Sequence, residues 1–212
     1  MTIPNVIESL LPILSAVPGL NIFSGAGQTY FVLIAQKRME SIETSLRYEV
    51  NLLNQKLDAG KLKLDRDYIS RGQFDAQFVQ ALRAYETAES NTKIGVVSRA
   101  LISCLVTDYS GDFDKGQCMR LIGQMTEREL EALSYIVTYS QRDVGKKTVS
   151  EEDILASESL AENSLTTPCH GLAQLGLIHN PTIGGWGGVE NGIWMPTVLA
   201  RQVIAFCNQI EE

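Results

Sequence analysis

Thr166-Thr-Pro-Cys-His-Gly-Leu-Ala-Gln-Leu-Gly-Leu-Ile-His179 is the stretch on which the fold turns. Thr167 is an N-cap by residue type, and Pro168 suits the first helical position, where a missing amide removes no hydrogen bond. Gly176 follows Leu172 and Leu175 as a C-terminal glycine. These residues predict a short helix with both ends defined, leading into Leu177, Ile178 and His179 as a strand. The run from Thr182 to Gly192 is rich in Gly, and Ile193, Trp194 and Met195 read as the returning strand of a small β-hairpin. Val198, Leu199, Val203, Ile204 and Cys207 then mark a closing helix.

Upstream, Thr126 and Glu129 form a capping box, in which each side chain satisfies an amide of the other residue at a helix start. Leu130, Leu133, Ile136 and Val137 supply the apolar face of that helix, and Gln141 to Thr148 reads as a loop. Ser150 with Glu151, Glu152 and Asp153 is expected to open another helix, its acids near the positive end of the dipole. Helix, helix, short capped helix, Gly-rich hairpin, helix is an order that resembles a winged helix over residues 126 to 207. Leu172-Ala-Gln-Leu-Gly-Leu-Ile178 looks like the junction where the last helix of such a domain turns into its first wing strand.

The first part of the chain reads as helices alone, with no strand expected before residue 176. Ile34, Met39, Ile42, Leu46, Val50, Leu53 and Leu57 recur mostly at steps of 3 and 4, which predicts one long helix from Phe31 to Leu57, ended by Gly60. Lys37, Arg38, Glu40, Glu43, Arg47 and Glu49 are expected on its solvated outer face. Phe74, Phe78, Leu82 and Tyr85 mark a second helix, and Ile94, Val97, Leu101 and Cys104 a third, joined by a polar turn at Ser90 and Asn91. Cys118, Leu121, Ile122 and Met125 mark a short fourth. The fold expected is therefore mainly α: a helical domain over 1–125 with a long central helix, then a winged-helix-like domain over 126–212 with a small β-hairpin.

The chain of 212 residues carries 18 Lys and Arg against 25 Asp and Glu, and 44% of it is hydrophobic, which suits a globular protein with its own core. Ser9 to Ala35 holds no charged residue, with Lys37 and Arg38 just after it. Pro12, Pro18, Gly19, Asn21, Gly25 and Gly27 interrupt the segment, so a continuous span of about 18 apolar residues is not formed. Packing against protein is the expectation for residues 9–35, with contact at a membrane surface as the alternative. No basic region precedes Ile3 and Val6, so a signal peptide is not expected. Cys104, Cys118, Cys169 and Cys207 form no CxxC pair, and they read as reduced thiols of a cytoplasmic protein, peripheral to a membrane in the alternative case.

No motif of catalysis, cofactor or metal binding emerges, and none of these is expected. Gly184-Gly185-Trp186-Gly187-Gly188 lacks the Lys-Ser/Thr of a phosphate-binding loop and reads as a hairpin tip. Cys169 at a helix start has His170 beside it, but successive helical residues point about 100° apart, which places His170 poorly as its base. Asp108, Asp112 and Asp114 lack the later Glu of a calcium loop. The Arg that precedes His by five positions in HEPN ribonucleases is absent, because Leu165 and Gln174 stand there.

From Thr148 to Ala200 there is no Lys or Arg, while Glu151, Glu152, Asp153, Glu158, Glu162 and Glu190 are all acidic. Such a stretch repels phosphates, so duplex DNA is not the expected partner, although a transcriptional regulator is one alternative for a winged helix. The expected function is a non-enzymatic interaction protein that binds a protein partner or itself. Thr166, Thr167, His170 and Gln174 of the short helix and Trp186 of the hairpin are its candidate partner-binding residues. Over the whole chain, the apolar Pro/Gly-broken N-terminus, the long helix, Lys93-Ile94 followed by Leu101, and the Leu-Gly-Leu-Ile stretch resemble bacterial Abi-alpha proteins. That resemblance is one of layout; it implies a membrane-associated abortive-infection effector as a further alternative and transfers no site residue.

Overall fold

A computed structural model describes residues 28–107, 114–142, 148–150, 166–181 and 192–210. The protein is mainly helical, with eight helices and a three-stranded antiparallel sheet near the C-terminus among these residues. The chain divides into two compact units, residues 1–112 with 210–212, and residues 113–209.

The first unit is organised on α1 (Gln28–Asp58), the long helix expected from the apolar spacing. Gly60 ends it with φ +68°, where Gly60 N–H donates to the Leu57 carbonyl and Lys61 N–H to the Lys56 carbonyl, both at 2.9 Å. The short α2 (Arg66–Ser70), which no periodicity announced, is capped by the Asp65 carboxylate, which accepts from Tyr68 N–H at 3.0 Å. α3 (Gln73–Glu86) and α4 (Asn91–Ser103) follow. Ser90 caps α4 by accepting from Lys93 N–H at 3.1 Å. Arg38 reaches the Ala88 carbonyl and Glu49 reaches Arg99, each pair 50 residues apart, so α1 and α4 run parallel. Ile42, Leu46, Val50 and Leu53 of α1 are buried, as are Phe74, Phe78 and Tyr85 of α3 and Ile94, Val97 and Leu101 of α4.

The second unit begins with α5 (Lys115–Gln124), capped by Asp114, and α6 (Glu127–Arg142). Both helices lie in the compact unit of residues 113–209. Cys118, Met119, Leu121 and Ile122 give α5 a buried apolar face, and that face joins the C-terminal core. The capping box at α6 is formed: Glu129 N–H donates to Thr126 Oγ1 at 3.2 Å, and Thr126 N–H to Glu129 Oε2 at 2.6 Å.

The sheet departs from expectation in one respect. β1 (Val149–Ser150) is a strand, so a strand does precede residue 176. Two residues are too few to show alternation; their extended state comes from pairing with a distant partner, Val149 with Trp194 and Ser150 with Ile193. Residues 151–165, where a helix opened by Ser150 was expected, lie outside the described residues. α7 (Thr166–Gln174) begins one residue before the expected cap at Thr167, which places Pro168 at its third position. A missing amide is harmless anywhere in the first turn, so Pro168 fits there as well. At the other end Gly176 adopts φ +71°, and Gly176 N–H bonds the Ala173 carbonyl at 3.0 Å while Leu177 N–H bonds the Leu172 carbonyl at 2.9 Å. The chain leaves this cap as β2 (Ile178–His179), and β3 (Ile193–Pro196) returns between β1 and β2, giving the order β1-β3-β2. α8 (Val198–Asn208) closes the unit. Its cap, Thr197, accepts from Ala200 N–H at 3.2 Å, while its hydroxyl lies 3.1 Å from the Gly176 carbonyl and 3.0 Å from that of Leu177. One side chain therefore ties the start of α8 to the α7–β2 corner.

Candidate functional site

Leu172 and Cys169 fix the orientation of α7, because both are fully buried and lie three positions apart on one face. The opposite face then belongs to His170 and Gln174, four positions apart and both exposed. Thr166 lies one further turn back on the same line and Thr167 beside it; both are on the backbone of α7, and their side chains fall outside the described residues, as does Trp186. Two of the five expected partner-binding residues, His170 and Gln174, are therefore placed together on one face.

Below that face lies Trp194 of β3, which is 6% exposed and meets His170 edge to face, with ring centroids 5.8 Å apart at 73°. Its indole Nε1 is buried and has no acceptor among the described residues. α6 contributes Glu129, whose carboxylate packs so tightly on Gly171 that a Cβ there would overlap Glu129 Oε1. The resulting patch offers an imidazole, a carboxamide, an orphaned indole donor and a neighbouring carboxylate. These four groups can hydrogen-bond, and none of them is a cation that could neutralise a phosphate. Cys169 is completely buried, which removes it from any role as an accessible nucleophile in this arrangement. The four cysteines are buried and form no disulfide with one another. Among the described residues no group of three His, Cys, Asp or Glu side chains is placed to hold a metal ion.

The first unit carries a groove of about 930 Å³ between α1 and α4. Lys37, Arg38 and Arg99 line it together with Glu40, Glu49 and Glu89, so its charge is balanced. Glu49 departs from its expected place on the solvated face: it is 2% exposed and pairs with Arg99 Nε at 3.1 Å. The signal was present in the spacing, because Glu49 stands three residues after Leu46 and four before Leu53, on the apolar stripe itself. Arg38 is likewise drawn inward, donating to the carbonyls of Glu86 at 3.0 Å and Ala88 at 2.9 Å, where α3 ends. Tyr85 bonds Ser98 at 2.8 Å. Its burial, with the Glu49 charge nearby, pushes the phenol well above its ordinary range, against the opposing pull of the Ser98 bond.

No family model, curated protein or solved structure matches this chain. No helix among the described residues is long and apolar enough to cross a membrane.

Proposed function

We propose that this chain is a non-enzymatic interaction protein whose C-terminal unit is a winged helix used to dock a protein partner. The observation that carries this reading is the exposed α7 face: His170 and Gln174 project from it, in a stretch from Thr148 to Ala200 without Lys or Arg. The assignment to the winged-helix class is supported by the sheet order β1-β3-β2, with α6 before β1, α7 leading into β2, and a closing helix after β3. In DNA-reading members of such a class the helix before the hairpin enters the major groove, and cationic side chains hold it there. Here that helix has hydrogen-bonding groups and no cationic anchor, a composition that suits a protein surface. The buried reduced thiols support a cytoplasmic setting. The abortive-infection reading rests on the layout likeness alone and ranks below the interaction reading.

The test is a pull-down on the full-length chain from its native host, with and without nuclease, analysed for protein, nucleic acid and lipid. A protein captured in both conditions, and lost when His170 and Gln174 are replaced by Ala, supports the reading. Capture that disappears with nuclease, or recovery only with the membrane fraction, overturns it.

A further inference from the structure

Gly95 stands inside α4, where a glycine weakens the helix relative to alanine. Close packing is one reason for a fold to keep such a residue, yet a Cβ added here would meet nothing within 4 Å. The space above Gly95 is the groove of about 930 Å³ between α1 and α4, a volume in the range of small-molecule sites. On its other wall, α1 places Ser41, Thr44 and Ser45, whose hydroxyls bond no other described residue. A Ser or Thr inside a helix can satisfy its hydroxyl on the carbonyl four residues back, and these three do not. The guanidinium groups that line the groove are engaged within the fold, Arg38 by the carbonyls that end α3 and Arg99 by Glu49. Exposed Lys37 then faces two exposed acids, Glu40 and Glu89. Tyr48 lines the same groove and is 61% exposed.

We infer that this groove is a binding site for a neutral saccharide, held open by Gly95. The site belongs to the first unit and does not depend on the α7 face. The ligand class follows from the groups on offer. Each sugar hydroxyl donates and accepts, as do the three α1 hydroxyls, and the Asn91 carboxamide in the same groove does both as well. The C–H face of a sugar ring is apolar and packs on the electron-rich face of an aromatic ring, which Tyr48 supplies. Charges of both signs line the groove, so neither a phosphate nor a polycation meets a field of one sign. Without a side chain, Gly95 lets the ligand lie against the α4 backbone itself.

Saturation-transfer NMR on the full-length chain tests this, with glucose, N-acetylglucosamine and maltose as probes and glucose phosphate and arginine as charged controls. At least one neutral sugar should receive saturation, and the two controls should receive less. Gly95→Leu should abolish the transfer while raising the urea midpoint, because the side chain that fills the groove also favours the helix. A merely structural role for Gly95 predicts no such split between binding and stability. Tyr48→Ala should weaken binding by about five-fold, the scale of one aromatic contact. Ser45→Ala should weaken it by about three-fold, the scale of one ordinary hydrogen bond. Transfer to none of the three sugars, stronger transfer to either charged control, or sugar binding unchanged in Gly95→Leu overturns the inference. Tyr48→Ala, at an exposed position, decides the matter should Gly95→Leu fail to fold: unchanged sugar binding in that variant overturns the inference equally.

Discussion

Two glycines inside helices show how a single missing side chain can serve opposite ends. A Cβ added at Gly95 of α4 meets nothing within 4 Å, whereas one added at Gly171 of α7 overlaps the Glu129 carboxylate. Neither backbone has a positive φ. Gly95→Ala should therefore stabilise the chain by roughly 1 kcal/mol, the helix-propensity difference. Gly171→Ala should destabilise it by about 1–3 kcal/mol, because Glu129 must leave the position from which it caps α6. Urea unfolding of the two variants checks both signs, and equal signs would refute the packing described at α7. Tyr85 carries a prediction in pH. Its phenol is raised in the folded protein, so the contribution of its neutral form is fully present below the unfolded value of about 10 and is lost as pH rises beyond it. Stability of the wild type should fall more steeply above about pH 10 than that of Tyr85→Phe. Parallel curves would mean that the phenol ionises freely in the fold. Glu49 is the residue at which reading by charge misled: its type placed it outside, while its position on the Leu46–Leu53 stripe carried it in.

At the scale of elements, ends are better determined than interiors. Thr126 and Glu129, Gly60, and Gly176 act at the positions their types indicated, because capping is satisfied within a few residues of the chain. Thr197 is different. It caps α8 locally, but its hydroxyl also bonds carbonyls 20 and 21 residues away, at Leu177 and Gly176. Thr197→Val should cost more than an ordinary lost cap, about 2 kcal/mol or more against about 1 kcal/mol for Thr126→Ala. Chemical denaturation of the two variants under one set of conditions checks the order, and a smaller loss at Thr197 would show that the corner is held by its apolar contacts alone. β1 is the element that sequence could not supply. Val149 and Ser150 have no pattern of their own, and they are extended because β3 offers Trp194 and Ile193 as partners.

At the scale of the molecule, charge distribution gives the sharpest expectation. Lys146, Lys147 and Arg201 flank a stretch with no cation, and about three phosphate contacts are too few to survive physiological salt. The full-length chain should show no sub-micromolar affinity for random or genomic duplexes in anisotropy titrations at about 150 mM salt. Tight binding abolished by replacing Lys146 and Lys147 would place the regulator reading first.

The sequence by itself determined the helical character of the chain, the long α1, the capping box of α6 and the glycine-ended α7 that carries His170 and Gln174. All of these follow from periodicity and from hydrogen bonds closed within a turn or two. Tertiary structure alone decided that β1 exists, that α5 joins the C-terminal unit, that Glu49 is buried against Arg99, and that Trp194 lies against His170, its buried donor without an acceptor among the described residues. The reason is common to all four: each depends on a partner distant in the chain, and local sequence carries no record of which distant group will arrive.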